Sequence, residues 1–307
     1  RLPDSVKYEG MGMESSFPLR VSQSFVKQIE PGNMDDPLLI QILPRPYESE
    51  LVEGFCNDPV GDLNNSVSNG VIHKYRNRVL LTVTGACAIH CRYCFRRNFP
   101  YSAENPRSDN WNKALRYIGQ HTEIEEVILS GGDPLMLELE QLRVLVQQIE
   151  KIEHIKRLRI HTRVPVAAPN MVNEQMVTWI SAIKLPVVMV VHCNHSNELS
   201  TEVKSALSLL SQAGARLFNQ SVLLKGVNDN PQTLAELSNK LFDYGVQPYY
   251  LNLLDRAHGT AHFEVGEKRA REIISTLITL LPGYLHPKLV RDKGKSTGKV
   301  VLGTEYL

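Results

Sequence analysis

Six apolar, β-branched runs recur along the chain, at residues 78–84, 126–130, 157–162, 186–193, 216–224 and 247–254. Measured from Val79, Val127, Leu158, Val187, Leu217 and Pro248, the steps between them are 48, 31, 29, 30 and 31 residues. Near-continuous apolar strands suit a sheet buried on both faces, which is the habit of parallel sheets. Parallel neighbours cannot be joined by a hairpin, and a step of about 30 residues is the length of a strand, a crossover helix and their loops. The stretches between the runs have helical period. Leu142, Leu145, Val146 and Ile149 share one face, as do Val203, Leu207 and Leu210, and again Leu234, Leu237 and Leu241. The repeat predicts an α/β fold, a partial (β/α)6 TIM-like barrel, with an open doubly wound sheet as the alternative.

The flanks lack this repeat. Residues 1–70 are expected to form an N-terminal helical cap, with short helices over 20–29 and 36–43 and a loop over 55–69, which is rich in Asn, Gly, Asp and Ser. The barrel is expected over 71–281, closing with a helix over 265–281 that Pro282-Gly283 ends, and 282–307 forms a separate C-terminal segment. Lys and Arg number 34 against 33 Asp and Glu, a net charge of +1, which leaves no electrostatic footprint for nucleic acid or an anionic membrane. The apolar runs are far short of a membrane span. Five cysteines, three of them within eight positions, suit metal binding in a reducing compartment, so a cytoplasmic location is expected. Cys56 and Cys193 stand apart and are expected to be buried small hydrophobes.

A barrel gathers function at the carboxyl ends of its strands. Polar residues cluster there: Cys87 after the first run, Ser130-Gly131-Gly132-Asp133 after the second, and His161 and Arg163 after the third. His192, Asn194 and His195 follow the fourth, and Asn252 and Asp255 the sixth. The string Cys87-Ala88-Ile89-His90-Cys91-Arg92-Tyr93-Cys94 has the spacing C-x3-C-x2-C. Three thiolates on one tight loop can hold three corners of an iron–sulfur cube and leave the fourth iron open to a small molecule. A structural zinc is the competing reading, and it needs four ligands, with Cys193, Cys56 or a histidine arriving through space.

With its aromatic Tyr93 and the following Gly131-Gly132-Asp133, this motif resembles the radical S-adenosylmethionine (SAM) superfamily. Three later stretches narrow the resemblance. They are His192-Cys193-Asn194-His195-Ser196-Asn197-Glu198, Asn219-Gln220-Ser221-Val222-Leu223-Leu224-Lys225-Gly226-Val227-Asn228-Asp229, and Pro248-Tyr249-Tyr250 followed by Asp255, Gly259 and His262-Phe263. In this order they resemble the lysine 2,3-aminomutase family from about residue 70 onward. Cys94-Phe95-Arg96-Arg97 and the compact length are closer still to the branch that makes (R)-β-lysine for bacterial elongation factor P.

That resemblance implies a set of cofactors and contacts. A 4Fe-4S cluster on Cys87, Cys91 and Cys94 would bind SAM, with Gly131, Gly132, Asp133, His192 and Gln220 around it. Pyridoxal 5′-phosphate (PLP) would be bonded to Lys299, seven residues after Asp292, with Lys74 and Arg78 on its phosphate. The family's glycine run is altered here to Lys293-Gly294-Lys295-Ser296-Thr297-Gly298, which makes Lys295 a rival for the PLP lysine. Arg96 would hold the substrate carboxylate, as a guanidinium fork suits a carboxylate, and Asp255 and Asp292 the distant ammonium of L-lysine. The implied activity converts L-α-lysine to (R)-β-lysine through a 5′-deoxyadenosyl radical and a PLP aldimine, with a functional link to elongation factor P and its lysine ligase. Two alternatives stand beside it: a radical SAM enzyme without PLP, and a non-catalytic iron–sulfur or zinc module.

Overall fold

Ten strands hydrogen-bond into a single sheet in the computed structural model, which describes residues 17–104, 109, 111–292 and 298–304. They are β1 (Ser66–Ser68), β2 (Val71–Tyr75), β3 (Arg78–Thr84), β4 (Glu126–Gly131), β5 (Arg157–Thr162), β6 (Val187–His192), β7 (Arg216–Val222), β8 (Gln247–Asn252), β9 (Lys288–Arg291) and β10 (Val300–Val301). Their spatial order is their chain order, without reversal. A doubly wound sheet reverses its order at a switch point, so that alternative is excluded and the six expected strands form the partial barrel. Pairing is parallel from β3 through β9 and antiparallel at the two margins.

The crossovers carry α3 (Asn112–Gln120), α4 (Leu139–Ile149), α6 (Glu174–Ser181), α7 (Thr201–Gln212), α8 (Pro231–Asp243) and α9 (Glu267–Leu280); α1 (Gln23–Val26), α2 (Pro37–Ile40) and α5 (Val164–Ala167) are single turns. Asn173, Ser200 and Asn230 cap α6, α7 and α8 by accepting from first-turn amides. Leu142, Leu145 and Ile149 of α4 and Val203, Leu207 and Leu210 of α7 share one buried core with Val127, Leu129, Leu158 and Ile160 of the sheet. Burial alternates along β5: Leu158, Ile160 and Thr162 are buried, while Arg159 and His161 line the cavity inside the barrel.

Several boundaries differ from the sequence reading. The seventh parallel strand, β9, was not legible, because only Leu289 and Val290 of its four residues are apolar. The apolar runs at 216–224 and 247–254 outlast β7 and β8, since Leu224 and Leu254 bury with Phe55 and Phe263 in a separate cluster above the strand ends. The two N-terminal helices shrink to four residues each, followed by Pro31-Gly32 and Pro44. The sheet continues through positions 70 and 281 without a break.

One close approach positions the rest of the rim. Gly131 sits at φ +121°, and a Cβ there would lie 2.4 Å from Thr84 O; a Cβ on Gly132 would lie 2.3 Å from Ala86 O. Instead Gly132 N donates to Thr84 O (2.6 Å) and Asp133 N to Ala86 O (2.7 Å), docking the end of β4 on the backbone that leads into Cys87. Gly132→Ala must push that loop away, at a cost of about 1–3 kcal/mol. We expect a lowered thermal unfolding temperature and incomplete iron loading, whereas Gly119→Ala, with open space around it in α3, unfolds no lower than the wild type. A Gly132→Ala protein with wild-type unfolding temperature and iron content would show that the close approach is dispensable.

Candidate active site

A cavity of about 580 Å³ opens at the carboxyl ends of the parallel strands and is lined by Cys87, Cys91 and Cys94 as well as by Lys299. The cysteine loop follows β3 and is held from the N-terminal side. Arg92 N donates to Gln41 O (2.8 Å) and His90 N to Arg20 O (2.8 Å). Ile89 buries with Phe25, Leu38 and Ile42. Glu48 accepts from Arg92 Nε (2.9 Å) and Arg97 Nη2 (2.8 Å). Burial opposes the charge of Glu48, but these two guanidinium groups outweigh it and hold its carboxyl below the usual range. Burial, with the neighbouring thiols adding to it, pushes Cys87 well up and Cys94 to about 11. Arg163 Nη1 reaches Cys91 Sγ at 2.7 Å. Three half-buried thiols on one loop, with Cys87 and Cys94 kept protonated by desolvation until a cation arrives, are a donor set suited to metal.

The residues expected near SAM fall into two groups. Gly131, Gly132 and Gln220 line the cavity. Asp133 and His192 line it too, but their polar atoms are already engaged. Asp133 accepts from Thr162 Oγ1 (2.7 Å), Arg163 N (2.7 Å), Val164 N (3.1 Å) and Leu135 N (3.1 Å), so it ties the ends of β4 and β5 together. His192 Nε2 pairs with Tyr93 Oη at 2.7 Å, and burial first, then Arg163, lowers it to about 3. The glycine pair serves the packing of the cysteine loop itself, beyond the close approach of a ligand for which the sequence suggested it.

The cavity holds two groups of charges. In one, Asp62 accepts from Arg96 Nε (2.8 Å) through Oδ2 and pairs with Lys74 Nζ (2.6 Å) through Oδ1. Asp62 and Arg96 are buried and Lys74 is nearly so, and burial of Asp62 is outweighed by Arg96 and Lys74, which hold its carboxyl below the usual range. One carboxylate against two cations leaves +1, a deficit that a bound carboxylate or phosphate would complete. Arg78 also lines the cavity, its guanidinium 4.2 Å from the Tyr75 ring centroid. In the other, Lys299 Nζ donates to Asn252 Oδ1 (2.5 Å), and Asp255 and Asp292 line the same cavity. Burial chiefly pushes Asp255 up to about 7, Lys299 opposing and Asp292 adding to the shift. Lys295 lies outside the described residues.

The Radical SAM superfamily matches residues 81–182, from β3 through the cysteine loop to α6. An L-lysine 2,3-aminomutase of Escherichia coli strain K12 is 48% identical over 293 residues, 95% of this chain and 85% of that protein. Those of Haemophilus influenzae and Buchnera aphidicola are 45% and 42% identical, covering 95% and 98% of this chain and 86% and 89% of theirs. The chain belongs to the L-lysine 2,3-aminomutase family. It is a radical SAM enzyme and an isomerase, and its cofactors are a 4Fe-4S cluster, SAM and PLP.

For a member of this family the cavity lining is consistent: three thiols for the cluster, and an amine with cationic side chains for PLP. Among the described residues no group of three or more His, Cys, Asp or Glu is arranged to hold a single metal ion. Cys193 is buried as expected, but Cys56 is exposed, a correction with a local cause. Its backbone bridges to Arg256 O and His258 N, which commits the main chain and leaves the side chain outward. No helix among the described residues is long and apolar enough to cross a membrane.

Asp62, Asn252 as the partner of Lys299, and Glu48 were missed as site residues. Asp62 and Glu48 lie in the non-periodic N-terminal stretch, where an acidic residue is ordinarily a loop residue. Asp62→Asn would leave Arg96 and Lys74 buried without full compensation, and we expect the ligand-free protein to lose about 3–5 kcal/mol. Inorganic phosphate should raise the unfolding temperature of this variant more than that of the wild type, because an added anion replaces the missing charge. An Asp62→Asn protein as stable as the wild type, with no larger response to phosphate, would contradict the charge argument.

Proposed function

We propose that this chain interconverts L-α-lysine and (R)-β-lysine by moving the amino group between adjacent carbons. The observation that carries the reading is one cavity lined by three half-buried thiols, an amine on Lys299 and two carboxylates, Asp255 and Asp292. When bound, the cluster with SAM supplies one-electron removal of a hydrogen atom, and PLP supplies an aldehyde that bonds an amine covalently. Cys87, Cys91 and Cys94 would hold the cluster; Gly131, Gly132 and Gln220 would form the wall beside SAM, with Asp133 and His192 positioning that wall. Lys299 would bond PLP, with Lys74 and Arg78 facing its phosphate, and residues 282–307 would act as the segment that delivers this lysine. Arg96, already oriented by Asp62 and by Ser130 Oγ (3.2 Å), would hold the substrate carboxylate. A carboxylate grip by Arg96 suits free lysine over a lysine within a peptide. We place the enzyme in the cytoplasm, where its thiols stay reduced, and its product in the modification of elongation factor P.

Asp255 and Asp292 would select lysine by receiving its ε-ammonium, and the pH dependence follows from burial. In the free site Asp255 takes up its proton below about 7. Lysine's ammonium keeps its own proton to about pH 10 and favours the ionised carboxylate, so binding must expel a proton below about pH 7. Lysine affinity is therefore expected to fall by up to about tenfold for each unit the pH drops below about 7, and to be flat from there to about pH 9. Asp255→Asn should bind weakly and without that slope. Lysine titrations of the PLP-loaded protein across this range check it, and a wild-type affinity that stays flat down to pH 5.5 would remove Asp255 from the ammonium site.

The overall reading is tested by anaerobic reconstitution with iron, sulfide, SAM, PLP and reductant, followed by chromatographic analysis of the product from lysine. β-Lysine is the expected product, and borohydride reduction of the PLP-loaded protein should leave the pyridoxyl group on Lys299. Pyridoxyl on Lys295 would reassign that role, and absence of β-lysine under conditions that cleave SAM would overturn the activity.

A further inference from the structure

We infer that His161 is a ligand-contacting residue of this cavity, giving a hydrogen bond from an imidazole nitrogen to an anionic oxygen of bound PLP or of the bound amino acid. The inference rests on the function proposed above and adds a contact to it. His161 lies near the end of β5 on the same face as Arg159, and it lines the cavity. Its Nε2 is sealed from solvent and has no hydrogen-bond partner among the described residues. Buried polar atoms of folded proteins are nearly always satisfied, and an unsatisfied one calls for a reason. The neighbouring strand supplies the contrast. His192 ends β6, and Tyr93 Oη and Asn194 Nδ2 fix its ring. No such bond among the described residues fixes His161.

The charges acting most strongly on His161 are those of Arg159, Lys299 and Arg96. Arg159 is paired with Glu126, and Arg96 shares Asp62 with Lys74. A neutral imidazole in this cationic surrounding can donate a hydrogen bond to an anion without adding a further charge that would itself need compensation. With no bond to break, a half-turn of the ring exchanges nitrogen and carbon edges and turns a donor toward the cavity. Two oxygens have the required chemistry: the phenolic or phosphate oxygen of PLP bonded to Lys299, and the substrate carboxylate at Arg96.

Two variants distinguish them. His161→Phe keeps the ring shape and removes both nitrogens, and His161→Gln keeps a donor. PLP affinity is read by fluorescence titration of the protein without SAM or lysine, and lysine affinity by the change in absorbance of the PLP-loaded protein. His161→Phe is expected to weaken one of the two by about tenfold or more, with His161→Gln within about threefold of the wild type. A loss in PLP affinity assigns the contact to the cofactor oxygen; a loss in lysine affinity with PLP binding intact assigns it to the carboxylate. If His161→Phe does not fold, His161→Leu takes its place in the comparison. Unchanged affinities for both ligands overturn the inference while leaving the proposed function standing. A wild-type chain that binds neither overturns that function and this contact with it.

Discussion

The parallel pairing of β3 through β9 brings the carboxyl ends of seven strands to one rim, and with them the residues that follow each strand. Backbone amides and carbonyls within the sheet are consumed by their neighbours, so the rim is where the chain is free to place polar groups. That freedom brings a packing constraint. The loop that carries the cysteines must lie against the end of β4, and it comes so close at Gly131 and Gly132 that no side chain fits between the two backbones. Asp133 continues the same docking into β5 through Thr162, Arg163 and Val164. The N-terminal residues complete it: Gln41 and Glu48 reach the cysteine loop, and Phe25, Leu38 and Ile42 pack beneath Ile89.

On this frame the cavity concentrates charge out of water, and the charges are incompletely matched. Asp62 answers two cations, Arg96 and Lys74, and so orients both while cancelling one. In the same cavity Asp255 is so poorly solvated that it holds its proton up to about pH 7, with Lys299 as its main nearby positive charge. One cavity thus holds a cationic cluster short of an anion and a carboxylate whose charge burial opposes. The amino acid proposed as substrate, with its cationic side chain, would bring both complementary charges, its carboxylate at one end and its ammonium at the other. Desolvation makes each mismatch stronger than it would be at the surface, and so gives each group a preference for its ligand.

Parts of this were legible in advance. Hydrophobic periodicity located β3 and β5 to the residue, because both lie wholly within the barrel, where apolar pattern and strand coincide. It overran β7 and β8, where Leu224 and Leu254 are apolar for another cluster, and it passed over β9, too short to leave a pattern. The cysteine spacing, the glycine pair and the Asp292 to Lys299 interval are local features, and the structure sets all of them around one cavity. Cys56 escaped the rule that free cysteines bury, because its backbone and not its side chain is in use.

The sequence by itself determined the strand repeat, the thiol donor set and the resemblance that gathered the remaining site residues, since each depends on residues close in the chain or on their order. Tertiary structure alone decided which charges meet. That Asp62 clamps Arg96 and Lys74, that Glu48 joins Arg92 to Arg97, and that His161 is left without a partner while His192 is held are results of packing between segments far apart in the chain. The physical reason is that periodicity records which face of an element is buried, whereas an ion pair or an unpaired nitrogen depends on distances of a few ångströms between elements, and those exist only once the chain has folded.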